Sequence, residues 1–520
     1  MAGAQSAGVT GTAAGERRRE ILVVLPGLLF ALILAMLDQT IVSTALPRIV
    51  GDLGGVTHLS WVVTAYVLAS TVTTPLYGKL GDLYGRKRWL IAAILVFLAG
   101  SALSGMAHSM DQLIAFRAVQ GLGAGGLMVG VFATIGDLVS PRERGQYMGF
   151  MMAAMMVAMV AGPLIGGYIT DSLSWRWIFY INMPVGGAAL LYLTATLHLP
   201  HRKIEHKIDY LGAGVLAVAV TSIVLLTTWG GTQYAWGSAP IIGLGVLAAV
   251  ALAVFLFAET RAAEAVLPLH VFRNRNFSLA SGMSFLAGMA MLGALTFLPL
   301  YQQTVQHLSA VGSGLMLLPM MIGATLTSLA GGQIMTRTGR YKALPIIGSA
   351  VMAAALYLLT GLGVSTSRVT SGLFYAVLGI GMGCLMQTTS VIVQNSVGPG
   401  DMGVASSARM FFQQIGGSMG VALFGAIFVR RLTDAMSARL PGVHLNTSGG
   451  SFDPRMVNRL PLPIRHDVFY AIAHAVQGVF FWAAPSAIAL FVLSCLIREV
   501  PLRGSAPAAE AQPMEPEFAA

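Results

Sequence analysis

The sequence predicts an all-α membrane protein that crosses the bilayer fourteen times, and three observations support this fold class. Of its 520 residues, 56% are hydrophobic and 10% are charged, whereas a soluble domain carries roughly 25% charged residues. Apolar runs of about 20 residues, the length that spans a bilayer, recur along the chain. The charges lie mostly between these runs, as determinants of topology do. We therefore attribute the net charge of +10 to loops and predict no nucleic-acid partner.

The fourteen apolar runs also predict which way the chain is oriented in the membrane. The predicted spans are residues 21–46, 59–77, 89–108, 112–138, 146–169, 176–197, 210–229, 239–258, 277–301, 311–334, 343–363, 370–394, 404–429 and 468–497. An even number of spans places both termini on one side. The loops and tails of that side hold 20 Lys and Arg, and short loops of the other side hold 3. Because cytoplasmic loops carry the excess of Lys and Arg, we predict a cell-membrane protein with both termini in the cytoplasm.

An internal repeat predicts how these helices are grouped. The segment GKLGDLYGRKR (78–88) recurs as GQIMTRTGRYK (332–342) at an offset of 254 residues. Parallel repeats of this kind are a transporter architecture, with the substrate site between the halves near the middle of the membrane. The predicted organisation is a cytoplasmic tail (1–20), a six-helix half (21–200), two inserted transmembrane helices with linkers (201–275), a second six-helix half (276–500) with an extracellular loop (430–467), and a disordered cytoplasmic tail (501–520).

Four segments carry a resemblance to a known family. They are GKLGDLYGRKR (78–88), LDQTIVSTALPRI (37–49), RAVQGLGAGGLM (117–128) and GPLIGGYI (162–169). With them the chain resembles the major facilitator superfamily, and within it the drug:proton antiporters with fourteen spans. The resemblance implies a major facilitator fold and a gating loop in which the aspartate caps a helix of the opposite half. The matching gating residues are Gly78, Gly81, Asp82, Gly85, Arg86, Arg88 and Asp137.

The glycines of the fifth span form the motif that marks antiporters within that superfamily. The matching residues are Gly162, Pro163, Gly166 and Gly167, and the resemblance implies a bend that blocks proton leak. Close helix packing is the alternative explanation. For the gating loop, the alternative is a plain ion pair at the surface. In the second copy of the loop, Thr336 replaces Asp82. We therefore do not expect the two loops to stabilise their gates equally.

Asp38 is a carboxylate inside the first apolar run, where an ionised group is costly and by default functional. Such a group can hold either a proton or the charge of a cationic substrate, which is the exclusivity an antiporter needs. A structural carboxylate satisfied by Thr or Gln neighbours such as Gln39 is the alternative. Arg117 lies in the fourth span on a face with Gln120, and the resemblance implies a part in proton coupling. The alternative is that Arg117 anchors its helix at the membrane interface.

Methionines at helical spacing form a stripe on the fifth span. Met is flexible and polarizable and suits promiscuous surfaces, so Met152, Met155, Met156 and Met159 are candidates to line a substrate path. Lipid contact or helix packing is the alternative. Charged residues are otherwise scarce within the spans, which favours apolar substrates or lipophilic cations.

These observations predict a transporter and not an enzyme. The sequence has no zinc-ligand spacing, nucleotide-binding loop or nucleophile elbow, so we expect no cofactor and a proton gradient as the energy source. The predicted function is efflux of hydrophobic or lipophilic cationic compounds in exchange for protons. The alternatives are a dedicated exporter of one antibiotic or lipid, uptake by symport, and a membrane sensor that does not transport. The expected partners are the small-molecule substrate, protons and the lipid bilayer.

Overall fold

A computed structural model describes residues 2–53, 59–140, 143–198, 209–231, 233–262, 265–439 and 462–502. Within them the chain is helical and holds no named strand, which confirms the all-α fold class. The predicted tail lies outside the described residues from 503 onward, as does 440–461 of the predicted extracellular loop. The rest of that loop is helical at both ends. At the N-terminus, the first helix already includes most of the predicted tail 1–20.

The described residues form sixteen α-helices, joined by short connections and two 3₁₀-helices. In chain order the helices are α1 (Ala2–Leu53), α2 (Leu59–Tyr84), α3 (Arg86–Gly105), α4 (Met110–Leu138), α5 (Arg144–Ser172), α6 (Trp177–Tyr180), α7 (Asn182–Thr196), α8 (Tyr210–Trp229), α9 (Ala239–Arg261), α10 (Arg275–Thr304), α11 (Ala310–Met316), α12 (Leu318–Thr338), α13 (Ala343–Leu359), α14 (Arg368–Asn395), α15 (Met402–Arg439) and α16 (Leu462–Leu496). The 3₁₀-helices are Leu269–Arg273 and Pro399–Asp401.

Among the described residues, twelve helices are long and apolar enough to cross a membrane. The predicted spans at 59–77 and 343–363 are also helical but are not among the twelve. Helix α2, which contains the first of these segments, also carries the polar residues Lys79 and Asp82 near its end. Helix α13 has only 17 residues, whereas a span needs about 20. The predicted count of fourteen is therefore not supported by length and composition.

The helices pack mainly within two sets. In the first set, α1 packs on α5 and α7, while α4 packs on α2 and α3. In the second, α10 packs on α15 and α16, while α14 packs on α12 and α13. The pair α8 and α9 lies between them in sequence, and α8 touches both α2 and α15. The two sets meet where α5 contacts α12 and where α2 and α4 contact α15.

Helices α4 and α14 begin in the same way, which relates the two sets more closely than the loop repeat does. Each is preceded by a serine, Ser109 or Ser367, whose hydroxyl accepts a hydrogen bond from the backbone N–H three residues later. This is the N-cap arrangement that satisfies an otherwise unpaired donor of the first turn. The segments SMDQLIAFRAVQGLGAGGLM (109–128) and SRVTSGLFYAVLGIGMGCLM (367–386) then align without a gap, at an offset of 258.

Candidate functional site

Asp38 and Arg117 form a buried ion pair between α1 and α4. Arg117 Nη1 lies 2.6 Å from Asp38 Oδ2. The exposed fraction is 0% for Asp38 and 1% for Arg117. A short, charge-assisted contact of this kind is stronger than a hydrogen bond between neutral groups. Each charge therefore offsets the cost of burying the other.

Two amides complete the hydrogen bonding of the Asp38 carboxylate. Gln120 Nε2 donates to Oδ1 at 2.8 Å, and Asn182 Nδ2 donates to the same oxygen at 2.9 Å. Asn182 also donates to the hydroxyl of Ser101 at 2.9 Å. Asn182 begins α7 and is fully buried. The sequence analysis missed it, although a lone amide in an apolar run is the same kind of signal as Asp38 itself.

Arg117 is held from several sides. Its Nη1 also donates to Gln120 Oε1 at 2.7 Å, and its Nε donates to the Val62 carbonyl at 3.4 Å. The guanidinium carbon lies 4.1 Å from the centre of the Tyr66 ring, a cation–π distance. The side chain therefore points into the bundle and pairs with Asp38, which favours a role inside the bundle over an anchor at the membrane interface.

Among the described side chains, the partners of Asp38 come from other helices. Gln39 lies on the exposed face of α1 and does not join the cluster. Thr40 donates to the carbonyls of Met36 and Leu37, both at 3.1 Å. Adjacent residues of a helix point in different directions, which explains why the predicted neighbour Gln39 cannot reach.

Asp82, near the end of α2, contacts the start of α15 in the second set of helices. Its carboxylate accepts hydrogen bonds from Gly403 N at 3.0 Å and from Val404 N at 2.8 Å. These N–H groups belong to the first turn of α15, where they have no partner inside the helix and the helix dipole favours a negative charge. Arg86 binds Asp82 and places its Nε 2.7 Å from Asp137 Oδ2. We call Asp82, Arg86 and Asp137 the Asp82 cluster.

Burial raises the pKa of Asp82 to about 6, against the lowering effect of Arg86 and of the two backbone donors. Asp82 lies beyond the predicted span 59–77. Because this pKa is below 7, the carboxylate is mostly ionised at neutral pH. The ionised form is the one that the N-terminus of α15 and the Arg86 guanidinium stabilise.

Glycines let α2 and α15 approach closely at the Asp82 cluster. A Cβ atom on Gly78 would lie 2.6 Å from the carbonyl oxygen of Gly403, too close for any other residue without a shift of backbone. Gly81 is buried beside Arg86. Gly85 has φ of 96°, a conformation that glycine adopts readily. Arg88 is exposed and does not join the cluster.

The glycine motif of α5 lies against α1. A Cβ atom on Gly162 would collide with the Thr40 side chain, so this residue permits close packing of α5 on α1. Gly166 is buried and its carbonyl accepts the Thr170 hydroxyl at 2.5 Å, whereas a Cβ atom on Gly167 would meet nothing within 4 Å. Nothing is described for the side chain of Pro163.

The methionines of α5 divide between the core and partly open positions. Met148 and Met151 are buried in the core of the first set, and Met155 is partly buried against it. Met152 and Met159 are also partly buried, and the side chain of Met156 lies outside the described residues. Met148, Met151 and Met155 therefore pack the core, and their part of the stripe supports the packing alternative.

The second set carries an uncharged counterpart of the Asp38 pair. In the alignment of α4 with α14, Tyr375 takes the place of Arg117. In α10 the residues Gln302, Gln303 and Thr304 align with Asp38, Gln39 and Thr40. Gln302 and Tyr375 are both 0% exposed, as the charged pair nearly is. The two halves thus share a buried polar position between equivalent helices, but only the first half has a charge there.

Two sets of helices that meet along one interface, with a buried charge pair in one of them, define a polytopic helical transporter. The chain belongs to the Major Facilitator Superfamily, whose model matches residues 28–421. It is 43% identical over 484 residues to an uncharacterized MFS-type transporter of Mycobacterium tuberculosis (strain CDC 1551 / Oshkosh), covering 92% of this chain and 70% of the relative.

Other relatives agree with this family, and one solved structure shares the fold. The chain is 39% identical over 425 residues to the multidrug transporter protein MdtP of Bacillus subtilis (strain 168), covering 82% of this chain and 78% of the relative. It is 35% identical over 469 residues to multidrug resistance protein 3 of the same organism, covering 88% and 91%. The crystal structure of the human organic anion transporter MFSD10 (TETRAN) matches with a TM-score of 0.60 at 16% identity, covering 92% of this chain and 99% of that one. That likeness concerns the fold alone.

Proposed function

We propose that this transporter is a drug:proton antiporter that exports hydrophobic or lipophilic cationic compounds across the cytoplasmic membrane. The observation that carries the proposal is the buried ion pair of Asp38 and Arg117, whose carboxylate is the group that can take up a proton inside the bundle. The motifs at 37–49 and 162–169 support membership of the subfamily with fourteen spans. In that topology α2 and α13 also cross the membrane.

A proton on Asp38 changes which contacts the carboxyl group can make. The ionised carboxylate accepts hydrogen bonds from Arg117, Gln120 and Asn182. A protonated carboxyl group is neutral, so it no longer attracts the guanidinium and leaves Arg117 with a buried, uncompensated charge. Protonation therefore favours a rearrangement of α1 against α4. A substrate cation competes with the proton for the same negative charge, which links export to proton entry.

Alternating access comes from rocking of the two helix sets about their interface. In the predicted orientation the Asp82 cluster faces the cytoplasm, so this conformation is closed on that side. The contact of Asp82 with the first turn of α15 stabilises the closure. A charge at a helix N-terminus contributes about 0.3–1 kcal/mol when exposed and more when partly buried.

One coupling carboxylate is enough for this scheme. The position in α10 equivalent to Asp38 holds Gln302, and the position in α14 equivalent to Arg117 holds Tyr375. Neither side chain exchanges a proton within the physiological pH range, since an unperturbed Tyr has a pKa of about 10. We therefore assign proton coupling to the first half alone.

The test is proton release from the purified protein when a lipophilic cation is added. Tetraphenylphosphonium should displace a proton from the wild-type protein into weakly buffered solution. The Asp38→Asn variant should release none, because an amide has no proton to exchange at this pH, and it should not export the cation from proteoliposomes. Asp52→Asn is the matched control, since Asp52 lies on the same helix but accepts the Trp175 indole N–H at 2.8 Å. Wild-type levels of proton release and efflux in Asp38→Asn would refute this assignment.

A further inference from the structure

Arg409, on α15, is a further buried cation, and among the described residues it has no acidic partner. Its exposed fraction is 4%. Its Nη1 donates to the neutral Gln413 Oε1 at 3.0 Å, and its guanidinium carbon lies 5.4 Å from the centre of the Phe132 ring. None of the ion pairs in the described part of the chain includes Arg409. Arg86 and Arg117, the buried arginines already described, each have a carboxylate.

Arg409 lies deeper in the bundle than the Asp82 cluster. It is seven residues along α15 from Met402, which corresponds to about 10 Å at 1.5 Å per residue. Phe132 lies six residues before the end of α4 at Leu138. A cation at this depth is expensive, and such residues typically face the interior and take part in a substrate or ion pathway. The predicted span 404–429 contains this arginine, which the sequence analysis passed over when it judged charges scarce within the spans.

The guanidinium lies at the interface between the two helix sets. Phe132 belongs to α4 in the first set, and its carbonyl accepts a hydrogen bond from Gln394 Nε2 of α14 at 3.4 Å. One turn further along α15, Gln414 accepts the hydroxyl of Thr71 on α2 at 2.7 Å. These contacts between the sets involve neutral groups. A movement that separates α4 from α15 would remove Phe132 from Arg409. It would expose the guanidinium to the space between the helix sets without breaking an ion pair.

We infer that Arg409 binds the anionic group of a transported compound when α4 and α15 separate. The ligand class is an amphipathic anion or zwitterion that carries a carboxylate, sulfonate or phosphate on an apolar body. The planar guanidinium suits such groups because it donates two parallel hydrogen bonds. The aromatic ring of Phe132 and the apolar lining of α15 suit the apolar body. This inference rests on the proposed transport function and extends its substrates beyond neutral compounds and cations.

A matched pair of fluorescent probes tests this assignment. The anion 1-anilinonaphthalene-8-sulfonate and the uncharged N-phenyl-1-naphthylamine share one ring system and differ by the sulfonate. Each is titrated into full-length protein in phosphatidylcholine nanodiscs, and the signal of empty nanodiscs is subtracted. In Arg409→Gln the affinity for the sulfonate should fall about tenfold or more, the effect of losing a charged hydrogen bond. The affinity for the uncharged amine should not change.

Three further variants separate recognition from folding. Arg409→Lys keeps the charge but loses the paired hydrogen bonds, so it should bind the sulfonate less tightly than the wild type and more tightly than the neutral variants. Arg409→Met is a second neutral variant that fills the apolar site. Arg430→Gln, at an exposed arginine of the same helix, should bind both probes as the wild type does. Size-exclusion profiles and thermal unfolding show whether each variant is folded.

Several results would overturn the inference. These are undiminished sulfonate binding in a folded neutral variant, equal loss of both probes, or a wild-type protein that binds the sulfonate no more tightly than the amine. The last of these needs no variant. Proton release by tetraphenylphosphonium is measured on the same samples. If it is intact while sulfonate recognition fails, the inference about Arg409 is wrong and the proposed antiport is not affected.

Discussion

The guanidinium of Arg117 lies 2.6 Å from the carboxylate of Asp38, and the two side chains join α4 to α1 inside the bundle. Neither charge reaches solvent, so each depends on the other for compensation. The contact ties the two helices together, and in the proposed mechanism it is also a switch, because a proton on the carboxyl group removes one of the two charges. Stability and proton coupling should therefore respond differently to single and double substitutions of this pair.

We expect Arg117→Met to destabilise the protein strongly and the double variant Asp38→Asn/Arg117→Met to recover much of that loss. Breaking a buried ion pair by removing one partner costs about 3–5 kcal/mol, while replacing both charges by neutral groups is often nearly neutral. Thermal unfolding in detergent measures both effects. The double variant should remain inactive in proton release, since it has no carboxyl group at position 38. If its melting temperature is as low as that of Arg117→Met, the charges do not compensate each other.

The sequence predicted the helical fold and singled out Asp38 and Arg117, but it did not show that the two side chains form an ion pair. An isolated charge in an apolar run is visible from composition because hydrocarbon excludes it. Its partners are not visible, because Asn182 and Gln120 come from helices far away in sequence. The predicted neighbour Gln39 is exposed for the same reason: sequence proximity does not place two side chains on one face.

Other features remained hidden because length and composition do not determine membrane position. Helix α13 is apolar but has only 17 residues, and α2 is not among the twelve long apolar helices, so the count of fourteen stays a prediction from the apolar runs and the resemblance. Arg409, like Asp38, is a charged residue inside an apolar run. Only the packing of α15 against Phe132 shows that it lies at the interface between the two helix sets.

The uncharged pair of the second half should be dispensable for proton coupling. We expect Gln302→Met and Tyr375→Phe, singly or together, to release protons as the wild type does when tetraphenylphosphonium is added. Both side chains are buried and uncharged, so replacing them by apolar groups of similar size should not lower stability by more than about 1 kcal/mol. Abolished proton release in either folded variant would place a coupling group in the second half.

Gly78 should tolerate no side chain, because α2 and α15 touch through their backbones there. Alanine would place a Cβ atom 2.6 Å from the Gly403 carbonyl oxygen, so Gly78→Ala should force the helices apart and lower transport several-fold. Gly187→Ala, on α7, is the control, since a Cβ atom at Gly187 meets nothing within 4 Å. Export of tetraphenylphosphonium by proteoliposomes measures both. Equal activity of the two variants would mean that the close contact is not needed for the transport cycle.

Asp82→Asn should impair transport more than Thr336→Ala, which alters the equivalent position of the second copy. Asp82 accepts two backbone N–H groups of α15 and pairs with Arg86, whereas Thr336 donates to the carbonyl of Gly332 within its own helix at 2.8 Å. The neutral amide loses the attraction of the helix dipole and of the guanidinium. Transport by equal amounts of membrane-inserted protein is the measurement. Equal losses in the two variants would show that the first-half loop has no special part in gating.

The predicted orientation can be tested by labelling single cysteines in intact cells. The background should carry Cys495→Ser, because Cys495 is exposed while Cys384 is buried. Cysteines at Gly231, between α8 and α9, and at Ser448 should react with a membrane-impermeant maleimide added outside. A cysteine at Lys203 should react only after the membrane is opened, since its segment is one of the Lys- and Arg-rich loops assigned to the cytoplasm. Lys203 and Ser448 lie outside the described residues, so these two sites test the sequence prediction alone. Outside labelling at Lys203 with protection at Gly231 would reverse the orientation and place the Asp82 cluster on the external side.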